Sequence, residues 1–184
     1  MPSPQSLSDT NRRLVAAWAA DCAEHVVDLF EVETPDDGRP RDAIARARAY
    51  SRGELDAAGE IRRRFVAGRA ASGASAPSAI AAARSAAQAA GVAHMGAHAL
   101  GAAAYAAKAR GLSAANEGDA IAVEIQWQLS IMSEPVRAAL RQLPPVGEDS
   151  SGPLGAGGLL ATGILGSAIR TIQESLATFG EGNQ

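Results

Sequence analysis

The chain has one cysteine, Cys22, in 184 residues, so an internal disulfide and a CxxC metal site are both excluded. A lone thiol fits a reducing, cytoplasmic home. Aromatic residues make up only 4 % of the chain, while hydrophobic residues reach 47 % because alanine dominates. Each buried position then removes little surface from water, and such a core must be made by close approach of helices. There is no basic excess: the net charge is -3 and the sequence pI is about 5.6, which argues against a nucleic-acid backbone as main partner. Nor is there a long unbroken apolar run. Leu154 to Ile169 is interrupted by five glycines and makes a poor membrane span. The opening Met-Pro-Ser-Pro-Gln-Ser lacks the basic and apolar regions of a signal peptide and reads as a polar lead-in. Period-two alternation of β-branched residues is missing throughout.

These absences leave an all-α bundle of five to seven helices as the expected fold. A first helix is expected from about Asn11 to Glu33, capped by Ser8 or Asp9, with Leu14, Trp18, Cys22, Val26 and Leu29 as its buried stripe. Asp21 and His25 lie at the flank of that stripe. Thr34 to Pro40 spells a turn and a new helix start. Arg41–Tyr50 and Leu55–Ala70 read as further helices, the latter with Ile61, Phe65 and Val66 as larger apolar residues, and Gly68–Pro77 reads as a surface connection. Ser78 to about Arg110 reads as one long alanine-rich helix, bent at Gly91, and is the expected centre of the bundle. Glu117–Leu143 forms another, with a kink or break near Ser133-Glu134 because Pro135 cannot sit inside a regular helix.

Three parts follow from this pattern. Residues 1–143 form a helical domain, 144–158 a Pro/Gly/Ser linker, and 159–184 a C-terminal amphipathic helix. The stripe Leu165, Ala168, Ile169, Ile172, Leu176 and Phe179 must cover apolar surface, either on the same domain or on a second subunit in a homo-oligomer.

The candidate chemistry concentrates between His94 and Lys108. On one continuous helix His94, His98, Gly101, Tyr105 and Lys108 share a face, with alanine elsewhere. His94-x-x-x-His98 is a spacing that zinc sites use, because imidazoles at i and i+4 reach one ion. The glutamate of a metalloprotease helix is missing between them. Asp21, Glu24, His25 or Glu31 would complete a metal set only if the first helix packs alongside. Otherwise the histidines belong to a hydrogen-bonded seam against the helix bearing Trp18 and Asp21. Lys108 either pairs within that seam or extends to solvent near the helix C-terminus. Between Arg39 and Arg69 nine arginines, including Arg39 and Arg41, face four acids, without the aromatic ladder that stacks single-stranded bases. They read as helix surface. Gly155–Gly158 precedes a helix but lacks the GK[ST] of a phosphate loop. Cys22 lies on an apolar stripe and packs as a small hydrophobe.

Four segments, in order, resemble immunity proteins with an Imm-5-like domain: Trp18–Glu24 (WAADCAE), Pro35–Ile44 (PDDGRPRDAI), His94–Lys108 (HMGAHALGAAAYAAK) and Glu124–Leu129 (EIQWQL). The resemblance spans about residues 11 to 143. It implies an α-helical actinobacterial protein of a polymorphic toxin system, which binds and neutralises a cognate toxin without enzymatic activity of its own. Together with the polar stripe it nominates Trp18, Asp21, Glu24, Arg39, Arg41, His94, His98, Tyr105, Lys108, Glu124 and Trp127 as binding or buried-network residues. The alternative is a small helical enzyme or metal- or ligand-binding protein built on His94 and His98.

Overall fold

A computed structural model of the chain describes residues 3–63 and 65–181, the side chains of 61–63, 67 and 179–181 excepted. The expected roles of Ile61 and Phe179, and the arginines at 62, 63 and 64, therefore lie outside the described side chains. The described residues form an all-helical fold without strands. Ten α-helices run in order: α1 Asp9–Glu24, α2 Asp28–Glu31, α3 Arg39–Ser51, α4 Ala57–Arg63, α5 Val66–Ala70, α6 Pro77–Gly91, α7 His98–Ser113, α8 Glu117–Ser130, α9 Glu134–Leu140 and α10 Gly163–Glu181. The number exceeds five to seven because the longer expected helices are broken at identifiable places.

Local signals account for most boundaries. The Ser8 side chain accepts from the Asn11 N–H at 3.1 Å and caps α1, and Asn116 accepts from the Asp119 N–H at 3.3 Å to cap α8. Prolines 40, 77 and 135 stand in the first turns of α3, α6 and α9, where their missing N–H costs nothing. The break at Pro135 falls where the sequence places it.

The central alanine helix is the main correction. It is two helices, α6 and α7, joined by buried residues of the 92–97 connection. The N-terminal segment makes the break: the Gly96 N–H donates to Ser6 O and the Ala97 N–H to Gln5 O, both at 3.0 Å. A Cβ on Gly96 would stand 2.5 Å from Leu7, so only glycine admits this crossing. Gly68–Pro77 is more ordered than its composition suggests. It is mostly exposed, as expected of a surface connection, but it contains the end of α5 and a 3-10 turn at Ala71–Gly73, with Ala70 and Ala71 buried near α6.

Helix α7 is the core. Residues Ala99 to Ala107 are all buried, and α6, α8, α1 and α10 pack around it. Small side chains permit this crowding, since they let backbones come close. On α10, Leu165, Ala168, Ile169, Ile172 and Leu176 are buried, with α7, α8 and α9 against the helix, while Arg170 and Glu174 stay exposed. The 144–158 connection is tied to the N-terminus. Buried Gln5 donates to Asp149 Oδ2 at 2.7 Å and Ser151 O at 2.8 Å, and accepts from the Leu154 N–H at 3.0 Å. No helix among the described residues is long and apolar enough to cross a membrane.

Candidate functional site

Four helices bring their side chains to one place beside α7. The end of α1 supplies Asp21 and Glu24, the turn after it His25, and the start of α2 Asp28. Helix α3 supplies Arg41 and Arg48, two turns apart, and α8 supplies Glu124, Trp127 and Ile131 at helical spacing. Arg110 arrives from the last turn of α7. Their side chains, with Val27 as part of the floor, surround an open cavity of about 470 Å³; Glu124 stands behind it.

The charges are closely matched. Arg48 bridges Asp21 Oδ1 at 2.7 Å and Glu24, joining α3 to α1. Arg41 grips Glu31 with two parallel bonds of 2.6 and 2.8 Å and reaches Glu24 at 3.4 Å. This fork holds the Glu31 carboxyl below its usual range, because a bidentate cation favours the ionised form. Arg110 donates to the His25 carbonyl and lies 3.6 Å from Asp28 and 4.0 Å from Glu124.

The aromatic part of the site is held from inside the core. The His25 ring stacks on Trp127 with centroids 3.6 Å apart and planes 15° apart. His25 Nδ1–H donates to Glu124 Oε2 at 2.8 Å; Glu124 is only 2 % exposed. Its other oxygen accepts from Gln128 Nε2 at 3.0 Å, and the same amide donates to Ala103 O on α7 at 3.0 Å. Trp18 closes the chain, its indole N–H donating to Gln128 O at 3.0 Å. A buried carboxylate is tolerable only with such partners. The result is a rigid mount for His25 and Trp127 at the cavity wall. Cys22 lies buried beside this network, and desolvation pushes its thiol well above the usual range, which makes it a packing residue and not a nucleophile.

The nominated residues divide into separate groups. Asp21, Glu24, Arg41 and Trp127 line the cavity, and Trp18 and Glu124 support it. Arg39 stands apart, paired with Asp37 at 2.6 Å. The common face of His94, His98, Tyr105 and Lys108 is corrected, because His94 lies in the connection before α7 and no single helix carries both histidines. Their rings are 6.4 Å apart, and no group of three or more His, Cys, Asp or Glu able to hold a metal stands together among the described residues. The expected seam against Asp21 is corrected as well. His98 faces α6, where its Nδ1–H donates to Gln88 Oε1 at 2.8 Å, since the break at 92–97 folds α7 back on α6. Burial lowers its pKa from 6.5 to about 4, with nearby His94 adding a smaller repulsion. His98 is thus a neutral, half-buried histidine of the α6–α7 seam. Gly101 makes room for this pair, for a Cβ there would lie 2.2 Å from Gln88 Oε1. Tyr105 is buried and Lys108 half-buried on the same helix.

Arg48, Asp28, Arg110 and Gln128 are the residues of this candidate site that sequence reasoning did not nominate, and the stacking of His25 was passed over with them. Part of the signal was present. Along the sequence the 21/24/25/28 spacing reads as a polar face on a helix whose other side is apolar, and Glu124, Trp127 and Ile131 repeat it on α8. Arg48 and Arg110 carried no signal of their own, because only the tertiary fold brings α3 and the end of α7 to that face.

The fold and site together define a class: an all-α protein with a rigidly mounted, charge-rimmed aromatic cavity. A family model described as Imm-5 like putative immunity protein matches residues 5–135, and the chain belongs to that family. Every residue lining the cavity lies within the matched segment, whereas α10 lies beyond it. Neither a curated protein nor a solved structure matches the chain.

Proposed function

We propose that this chain is an immunity protein that acts by binding and neutralising a cognate protein toxin in the cytoplasm, without chemistry of its own. The observation that carries this reading is the Trp127 cavity inside the family-matched segment. It presents a half-buried indole, stacked on a His25 ring that a buried hydrogen-bonded carboxylate holds, among charged groups from separate helices. Preorganised aromatic side chains with a charged rim are the usual anchors of protein interfaces, because they lose little entropy on binding.

The experiment is co-expression of the chain with the toxin encoded beside its gene, followed by affinity measurement on the purified pair. Protection of growth together with a stable complex is expected. Trp127→Ala should weaken binding by at least about tenfold, roughly 1.4 kcal/mol, as removal of a central aromatic anchor does. A folded Trp127→Ala protein that binds and protects as well as the parent overturns the site, and a parent chain that neither binds nor protects overturns the function.

A further inference from the structure

We infer that the Trp127 cavity receives a cationic side chain, an arginine or lysine flanked by an apolar residue, projected by the bound partner. This rests on the binding reading above and names the partner chemistry of the same site.

The charge balance gives the sign. Three arginines at the cavity invite the opposite conclusion, an anion site, but each already faces carboxylates: Arg41 meets Glu31 and Glu24, Arg48 meets Asp21 and Glu24, and Arg110 lies near Asp28 and Glu124. The cavity wall carries Asp21, Glu24 and Asp28 against the three guanidinium groups, and Glu31 and Glu124 stand just outside it, so five carboxylates face three arginines and acid is in excess. An incoming anion would have to displace formed ion pairs and still meet the excess of acid.

Two of the acids retain acceptor capacity at the rim. Asp21 is 48 % exposed and engages Arg48 through Oδ1. Asp28 is 63 % exposed and stands 3.6 Å from Arg110, beyond hydrogen-bond distance. An ionised carboxylate offers about four lone-pair sites, so both can accept from a further cation. The indole of Trp127 adds to the attraction, since its π-system favours a cation in contact with it.

The apolar neighbour follows from what borders the indole. Val123, Trp127 and Ile131 recur every four residues along α8, with Val123 70 % and Ile131 38 % exposed. That stripe continues the cavity floor at Val27 and would otherwise stay in water. The cavity of about 470 Å³ has room for more than one side chain.

The test uses the full chain, labelled with 15N, and three capped tripeptides: Leu-Arg-Leu, the same peptide with neutral citrulline for arginine, and Leu-Glu-Leu. Binding is read from the Trp127 indole N–H signal, with Trp18 as internal control. Leu-Arg-Leu should shift Trp127 at least about tenfold more tightly than the citrulline peptide, and Leu-Glu-Leu should not shift it. The double variant Asp21→Asn and Asp28→Asn should lower affinity for the arginine peptide alone, with an unchanged spectrum elsewhere showing an intact fold. Equal binding of arginine and citrulline peptides, preference for Leu-Glu-Leu, or no shift with any of them overturns the inference. In each of those cases the complex with the toxin, and its loss in Trp127→Ala, still decides the binding reading separately.

Discussion

Two histidine-centred regions of this molecule use the same residue types for opposite ends. Around His98 the groups are half-buried, uncharged and paired one to one: imidazole to the Gln88 amide, between helices of alanine and glycine. Around His25 they are mostly exposed at the rim and cross-linked, with carboxylates and guanidinium groups from five helices about a stacked indole. Desolvation separates them. Where desolvation lowers a group's pKa, charge is suppressed and polarity serves packing; where oppositely charged partners surround it, ion pairs form and can be offered to a partner.

The largest expected effect breaks the packing side. Leu100, fully buried on α7, has no alanine-sized substitute, and Leu100→Ala should cost about 2–5 kcal/mol in urea unfolding. The Trp127 indole signal should move little in the fraction that remains folded. An intermediate effect tests the electrostatic contrast directly. Because the pKa of His98 is lowered from 6.5 to about 4, the unfolded chain binds its proton first as pH falls. Its contribution is fully present above pH 6.5 and is lost on the way down to pH 4, by about 2–3 kcal/mol between pH 7 and 4.5. Urea midpoints at the two pH values measure it. His98→Gln should flatten that part of the profile, and an equally steep profile in the variant would assign the loss to other groups.

The smallest effect lies on the binding side. Arg41 is half exposed, so Arg41→Ala should change stability by less than about 1 kcal/mol despite its two bonds to Glu31. The same variant should strengthen binding of a cationic peptide at the cavity, since it uncovers Glu31 and Glu24. Weaker peptide binding would mean that Arg41 itself touches the ligand.

Much of the helix plan was legible along the chain. Ser8, Pro40, Pro77, Asn116 and Pro135 act through their immediate neighbours, and their helix starts fall where those residues place them. An interruption at Gly91, where α6 ends, was legible, but the full break to α7 was not, for it depends on Leu7 and the carbonyls of Gln5 and Ser6, about ninety residues earlier in the chain. Reading one unbroken helix there put His94 and His98 on a common face and drew attention to them. The true mount of Trp127 was half visible, as Asp21, Glu24 and Trp127 each stand in segments that resemble the family.

By itself the sequence determined the helical class, the alanine-rich centre and the family, because periodicity, propensity and capping are local and the family pattern is linear. Which polar group ended in water and which in the core was decided only by the tertiary structure. A histidine's role depends on the helices packed around it, and those neighbours come from anywhere in the chain: Gln88 for His98, and Glu124 and Trp127 for His25.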